Sequence, residues 1–244
     1  IAPLDLIIWP ETSVSVPLNE AAGLLKAISE ASSNVPTIIG INDLVDESIR
    51  NTMALIGTEG ILLEKFHKQK LVPFGEYIPF GEWLSDKGIS GLAARDGAGY
   101  QAGTGERILR IPDVGYAIPL ICYELIFPSN VRAEVRPNMI IQVTNDAWFG
   151  RFVGPYQHLA QAKFRAVEQA LPVIRAANTG ISAIIDSKGK IVAQTRLNEA
   201  TYLDAYIPSA GPKTLYTKFA DWPIIIFLIL AFGKLILSRK IMIK

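Results

Sequence analysis

The stretch YAIPLICYELIFPSN, residues 116–130, places the only cysteine of the 244-residue chain, Cys122, at the end of an apolar run. Residues 116–121 predict a buried β-strand, and the Pro-Ser-Asn cluster predicts a short helix with Ser129 as its N-cap. A lone cysteine in such a run is more often a packed core thiol than a nucleophile. Whether Cys122 is a nucleophile must therefore be inferred from the residues at the ends of the other predicted strands.

Short β-rich runs alternate with helical stretches on both sides of Cys122. Helices are predicted over residues 19–32 and 156–170, where apolar residues recur at helical spacing. This order of elements predicts an α/β fold of two packed sheets with helices outside, an α-β-β-α sandwich. The predicted strands cover residues 4–9, 37–41, 52–56, 61–66, 108–111, 116–121, 139–143, 173–177, 182–186, 191–195 and 201–207.

Composition narrows the possible functions. The 24 basic and 23 acidic side chains give a net charge of +1, so no polycationic surface indicates a nucleic acid partner. A single cysteine cannot form an internal disulfide, which leaves its thiol free for chemistry. Half of the residues are apolar, and the length fits one large α/β domain, predicted over residues 1–210.

The C-terminal part, residues 211–244, contains the apolar run FADWPIIIFLILAFGKLIL over residues 219–237. At about 1.5 Å per residue this run is roughly 28 Å long, close to the hydrocarbon thickness of a bilayer. A buried core helix is the alternative, but residues 224–232 show no polar stripe. We predict a transmembrane helix with its basic end in the cytoplasm and residues 1–210 on the opposite side.

Reactive side chains follow three of the predicted strands. Glu11 follows the first, Lys68, Lys70 and Glu76 follow the strand over 61–66, and Cys122 follows the strand over 116–121. A carboxylate, an ammonium and a thiol suffice for acyl transfer, so neither a cofactor nor a metal ion is predicted. A neighbouring cation and helix N-terminus would lower the pKa of the cysteine below about 8.5.

Several motifs in fixed order carry a family resemblance: WPET, KQKLVPFGEY, ICYE, TNDAWFG, RAVEQALPVIRAANTGIS and DSKGKI. The chain resembles the nitrilase superfamily of carbon-nitrogen hydrolases, and LVPFGEYIPF, NDAWFG and the apolar tail resemble its bacterial apolipoprotein N-acyltransferase branch. The resemblance covers nearly all of residues 1–237. It implies the nitrilase-like α-β-β-α sandwich followed by one transmembrane helix.

The resemblance also implies a role for individual residues. Glu11 matches the general base, Cys122 the nucleophile, and Lys68, eight residues before Glu76, the catalytic lysine. The remaining matched residues would support the site: Glu76, the pair Tyr123 and Glu124 after the cysteine, and Asn51 of RNTM.

The reaction implied by the resemblance is ping-pong. Cys122 would accept an acyl chain from a phospholipid and pass it to the N-terminal amine of a diacylated lipoprotein. The implied location is the bacterial inner membrane, with the catalytic domain on the periplasmic face. Members of this branch carry membrane helices and a further strand before the WPE motif, so we expect this chain to be a C-terminal piece of a longer protein.

Some roles stay open at this point. Trp148 and Phe149 are either packing aromatics or walls of an acyl pocket, and Glu124 either assists catalysis or pairs with Arg132. Lys70 is expected to be solvated. Two further interpretations are a lid formed by Trp83, Leu84 and Ile89, and a structural network of Arg165, Glu168, Arg175 and Asn178.

Two other functions compete with acyl transfer to lipoproteins. A tethered nitrilase-type amidase would use water where the transferase uses an amine. A catalytically silent binding module would keep the fold without the chemistry, but such a module has no reason to retain Glu11, Lys68 and Cys122 together.

Overall fold

A computed structural model describes residues 4–77, 79, 99–131, 133 and 135–242. Within these residues, two β-sheets form the centre of the molecule, one of four strands and one of six. Neighbours in each sheet are consecutive along the chain, because short turns connect most strands. The residues proposed for a lid, Trp83, Leu84 and Ile89, lie outside the described residues.

The first sheet has the order β1-β2-β3-β4. Its first two strands are parallel and the others are antiparallel. Strand β2 pairs with β3 over its full length, from Thr37 opposite Ile56 to Val45 opposite Ser48. The strands are β1 (Ile7–Ile8), β2 (Thr37–Val45), β3 (Ser48–Ile56) and β4 (Leu62–His67).

The second sheet has the order β10-β9-β8-β7-β6-β5. Its central strands β6, β7 and β8 are parallel, so their carboxyl ends lie at the same edge. The strands are β5 (Leu109–Ile111), β6 (Gly115–Ile121), β7 (Met139–Asn145), β8 (Val173–Asn178), β9 (Ala183–Ile185) and β10 (Ile191–Gln194).

Three apolar clusters define the layers. The central cluster joins the two sheets, for example Met53 and Leu55 of β3 with Ile121 of β6 and Ile141 of β7. Burial of such side chains is the main favourable term for folding. The other two clusters lie on the outer faces of the sheets, so the predicted α-β-β-α sandwich is confirmed.

Each outer layer contains one amphipathic helix. Helix α1 (Ala22–Ala31) buries Leu25 and Ile28 against the first sheet. Helix α2 (Gly154–Gln169) packs Leu159 onto the second sheet. Helix α2 ends at Gln169, three residues before Pro172, close to the predicted end of the helix over 156–170.

Two predictions about local structure are wrong. The strand over residues 201–207 is absent, and this described segment is irregular with Tyr202 and Tyr206 each 87% exposed. Apolar and polar residues alternate in this segment as in a strand, but none of its residues is fully buried. The helix after Ser129 is only a 3₁₀ turn, Pro128–Asn130.

The C-terminal region forms α3 (Leu215–Phe219) and the 21-residue helix α4 (Trp222–Met242). Apolar side chains on all sides of α4 are exposed, including Phe227 at 63% and Leu230 at 68%. Within the described part of the chain, no helix meets the length and apolarity needed to cross a membrane.

A close backbone approach at Gly40 generates a prediction about stability. A Cβ atom at this position of β2 would lie 2.3 Å from the carbonyl oxygen of Pro10 and 2.6 Å from Cα of Glu11. We expect Gly40→Ala to lower the free energy of unfolding by about 1–3 kcal/mol, because the backbone that carries Glu11 must move away. Urea denaturation measures this loss.

Gly23→Ala is the matched control, since a Cβ atom at Gly23 in α1 would meet no atom within 4 Å. It should be neutral or should stabilise the protein by about 0.5–1 kcal/mol, because alanine favours the helix. Equal losses of stability in the two variants would contradict the proposed contact between β2 and the Glu11 segment.

Candidate active site

Three strand ends bring Glu11, Lys68 and Cys122 together. Glu11 follows β1, Lys68 directly follows β4, and Cys122 directly follows β6. All three residues are buried, with 5%, 1% and 7% exposure respectively. Lys68 Nζ lies 3.6 Å from Glu11 Oε1, so the first sheet supplies an ion pair next to the cysteine of the second sheet.

Lys68 also contacts a second carboxylate. Its Nζ donates a 2.6 Å hydrogen bond to Glu76 Oε1, and the amide of Val72 donates to Glu76 Oε2 at 2.8 Å. Burial lowers the pKa of Lys68, but Glu11, Cys122 and Glu76 favour its charged form and together raise that pKa above the ordinary value. The buried ammonium is therefore charged at neutral pH.

Glu11 is fixed by two hydrogen bonds besides its contact with Lys68. Asn51 Nδ2 donates to Oε1 at 2.7 Å, and the amide of Asn145 donates to Oε2 at 2.7 Å. Asn51 also holds the lysine, because its carbonyl accepts from the amide of Lys68 at 2.8 Å. Asn51 thus orients both partners of the ion pair.

Cys122 directly follows β6 and is the first residue of the 3₁₀ turn Cys122–Ile126, where its backbone is strained. Its φ of 51° is in the left-handed region, which non-glycine residues rarely occupy and which often marks functional sites. The segment resembles the sharp strand-to-helix turns that expose a nucleophile at the end of a strand.

The expected lowering of the Cys122 pKa is wrong. Burial raises the pKa of the thiol to about 12, and the carboxylate of Glu11 acts in the same direction. Lys68 and a hydrogen bond with Thr144 lower the pKa but do not outweigh burial. Cys122 is therefore a neutral thiol at physiological pH, and a base must remove its proton before it can attack.

Glu124 is fully buried and binds the turn of Cys122 to the loop after β4. Its Oε2 accepts from the amide of Ile121, and its Oε1 accepts from the amides of Gln69 and Lys70, all at 2.9–3.1 Å. The guanidinium of Arg107 completes the set at 2.9 Å. Arg107 is thus the observed charged partner, and Arg132, proposed for this pairing, lies outside the described residues.

The aromatic candidates occupy different surroundings. Tyr123 packs edge-on against Phe127 with ring centroids 5.0 Å apart, and Phe149 packs against His158 at the same distance. Trp148 is 88% exposed, so it is not part of the buried triad.

A second polar network, under Cys122, was largely missed by sequence reasoning. Each of its five residues is at least 95% buried. The signal for two of them was a polar side chain inside an apolar strand, Gln142 in MIIQV and Arg175 in VIRAA. The members are Gln142 and Thr144 of β7, Asp146 after β7, His158 of α2, and Arg175 of β8.

The predicted network of Arg165, Glu168, Arg175 and Asn178 is therefore wrong as a unit. Arg165 pairs with Glu168 along α2 at 2.7 Å, whereas Arg175 contacts Asp146. Asn178 is exposed at the end of β8.

Comparison with known proteins adds to this geometry. Residues 2–212 match the family described as carbon-nitrogen hydrolase. A protein from Bradyrhizobium diazoefficiens named apolipoprotein N-acyltransferase is 38% identical over 93% of this chain and 44% of its own length. A protein of the same name from Allorhizobium ampelinum is 40% identical over 86% of this chain and 41% of its own length. The chain thus spans less than half the length of these curated relatives.

Solved structures support the fold alone. A CN-hydrolase superfamily protein from Xanthomonas campestris superposes with a TM-score of 0.57 at 20% identity, covering 79% of this chain and 74% of that one. The family match covers both sheets and the strand ends that carry Glu11, Lys68 and Cys122. On this match, the chain belongs to the carbon-nitrogen hydrolase family.

Proposed function

We propose that this chain contains the catalytic domain, residues 1–210, of an apolipoprotein N-acyltransferase. The observation that carries the proposal is the buried contact of Lys68 with Glu11 beside the single cysteine, in a chain whose curated relatives bear that name. The acyl donor would be a phospholipid, and the acceptor the N-terminal amine of an S-diacylglyceryl-cysteine lipoprotein. A thiol, a carboxylate and an ammonium are the groups this chemistry needs.

Proton transfer from Cys122 to Glu11 is the first proposed step. Ionisation of the thiol alone would create a buried thiolate beside the carboxylate of Glu11, and burial together with Glu11 raises the pKa of Cys122 despite the nearby Lys68. Transfer of the proton to Glu11 leaves the charge of the site unchanged. The thiolate then takes the place of Glu11 as the anion that Lys68 stabilises.

Acyl transfer follows in two halves. The Cys122 sulfur attacks the ester carbonyl of the phospholipid, Glu11 returns the proton to the departing alcohol, and a thioester and a lysophospholipid result. The lipoprotein amine then attacks the thioester, Glu11 accepts the amine proton, and the thiol is restored as that proton passes to sulfur. Lys68 stabilises the tetrahedral oxyanion in both halves.

The other matched residues are proposed to support these steps. Glu76 and Asn51 hold Lys68 and Glu11 through the contacts of 2.6 Å and 2.7 Å. Glu124 and Tyr123 are proposed to hold the turn of Cys122. Trp148 and Phe149 remain our proposal for the wall of the acyl pocket.

We also propose that residues 211–244 hold the domain at a lipid bilayer. The exposed apolar surface of α4, with Ile229 at 65% and Leu230 at 68%, has no polar face that would suit water. The proposed span, residues 219–237, extends past Ile236, the last residue of α4 whose side chain is described. Its basic end would be cytoplasmic and the catalytic domain periplasmic, at the inner membrane.

The family name also supports a second function, a tethered amidase that transfers the acyl group to water. Incubation of the protein with phosphatidylethanolamine vesicles and a diacylated lipopeptide separates the two by mass spectrometry. Triacylated peptide together with lysophospholipid is expected. Release of free fatty acid or ammonia without triacylated peptide would exclude the transferase, and the absence of any acyl-enzyme would leave a silent binding module.

Cys122→Ser is expected to abolish the acyl-enzyme, because a neutral hydroxyl is a poorer nucleophile than a thiolate at the same position. The measurement is intact-protein mass spectrometry after incubation with phospholipid, with circular dichroism to verify the fold. Cys122 is the only cysteine, so the parent protein can form a thioester only there. An acyl adduct on a different side chain that persists in Cys122→Ser would contradict the assignment.

Lys68→Met is expected to slow acylation by about 100-fold or more, because the oxyanion and the thiolate lose their cation. Lys70→Met is the matched control, since Lys70 Nζ contacts only Ser129 at 3.3 Å and the Phe127 ring at 4.2 Å among its described partners. Its rate should change by no more than about twofold, because this half-buried lysine forms no ion pair among the described residues. Equal effects of the two variants on single-turnover acylation would show that the catalytic lysine is misassigned.

A further inference from the structure

The network under Cys122 has no part in the steps described so far. Gln142 and Thr144 are fully buried, and Asp146, His158 and Arg175 are at most 4% exposed. Buried polar groups are costly unless each hydrogen bond is made, so the donors and acceptors of this network constrain one another.

The carboxylate of Asp146 accepts hydrogen bonds from three side chains. Its Oδ1 accepts from Thr144 Oγ1 at 3.0 Å and from His158 Nδ1 at 2.9 Å, and its Oδ2 accepts from Arg175 Nη2. Burial raises the pKa of Asp146, but His158, Arg175 and Thr144 outweigh burial and lower it. Asp146 is therefore an anion that keeps one donor on each oxygen even if Thr144 turns away.

Arg175 fixes the orientation of the other members. Because arginine only donates, its 2.5 Å contact identifies Oε1 as the atom of Gln142 that faces it. The Gln142 amide nitrogen then donates to the Cys122 carbonyl at 3.3 Å and to His158 Nε2 at 3.1 Å. His158 Nδ1 faces Asp146 Oδ1 at 2.9 Å, and its Nε2 lies 3.1 Å from the Gln142 amide nitrogen and 3.2 Å from the Cys122 carbonyl.

Two acceptors flank the hydroxyl of Thr144. One is Asp146 Oδ1 at 3.0 Å. The other is the side chain of Cys122, which adjoins Thr144 because the preceding residues Ile121 and Val143 are register partners in β6 and β7, and whose pKa a hydrogen bond from Thr144 lowers. While Cys122 is a thiol, its S–H can donate to Thr144, whose own proton points to Asp146. Once the thiol proton has left, the sulfur becomes an acceptor.

We propose that Thr144 is a catalytic residue whose hydroxyl turns from Asp146 to Cys122 Sγ when the thiolate forms. Asp146, His158 and Arg175 are positioning residues: they hold the hydroxyl in place and keep the carboxylate satisfied after it turns. The step is a rotation about one C–O bond, and the thiol proton itself goes to Glu11. The inference rests on the proposed function only in taking Cys122 as the nucleophile.

The charged groups around the sulfur come from every neighbouring element. Glu11 follows β1, Lys68 follows β4, Asp146 follows β7 and Arg175 lies on β8. Each of them acts electrostatically on Cys122. A variant that tests Thr144 must therefore remove the hydroxyl and leave these charges unchanged.

Thr144→Val meets that condition, since valine has nearly the same shape and no hydroxyl, and Thr144→Ser is the matched control that keeps it. Cys122 is the only cysteine, so alkylation by iodoacetamide reports on it alone. We expect the pH dependence of the alkylation rate to shift upward by about one unit in Thr144→Val. At a fixed pH near 9 this is a fall of about threefold to fourfold, because the more basic thiolate is also more nucleophilic. Thr144→Ser should differ from the parent protein by less than twofold.

A purely structural role would lower the melting temperature of Thr144→Val without shifting the alkylation profile, and that result would overturn the proposal. So would equal shifts in the valine and serine variants. If Thr144→Val does not fold, Thr144→Ala replaces it, because alanine also lacks the hydroxyl and adds no bulk. Alkylation needs no lipid, so failure of the acyl-transfer assay with a shifted profile would reject the proposed function and leave this inference intact.

Discussion

The ammonium of Lys68 is buried to 1% exposure, and this one charge constrains the rest of the site. An isolated buried cation costs far more free energy than folding can supply, so carboxylates must accompany it. Glu76 provides one at 2.6 Å and Glu11 the other at 3.6 Å. Glu11 comes from the start of the first sheet and Glu76 from the loop after β4, so two distant segments must meet before Lys68 can be buried. The first sheet and the site therefore depend on each other.

Burial and the neighbouring charges together explain why the cysteine is protonated at rest. Burial makes the largest contribution to the raised pKa of Cys122, the carboxylate of Glu11 adds to it, and Lys68 compensates only in part. A lysine next to a cysteine is thus insufficient to activate it. In the proposed mechanism Glu11 loses its negative charge at the moment Cys122 gains one, so the carboxylate and the thiol share a single proton.

Sequence reasoning predicted the sandwich and most strands, because apolar periodicity directly reports which faces are buried. The order of motifs predicted Glu11, Lys68 and Cys122 as site residues, and the structure places all three at strand ends. The network of Thr144 and His158 was not predicted, because its partners are brought together only by the parallel alignment of β7 and β8 under α2. The direction of the Cys122 pKa was predicted wrongly, since a sequence shows which charges are near in the chain but not how deeply the sulfur is buried.

Two separate supports hold the left-handed backbone of Cys122, and they act on different sides of the residue. Glu124 accepts from the amide before Cys122 and from Gln69 just after Lys68, so Cys122 and Lys68 share one anchor. Gln142 donates to the carbonyl of Cys122 from the neighbouring strand β7. A left-handed non-glycine residue costs on the order of 1–3 kcal/mol, and this strain persists only where neighbouring contacts over-determine the conformation. Because both supports bind backbone atoms, the side chain of Cys122 is left free for Glu11 and Thr144, as its proposed role as a nucleophile requires.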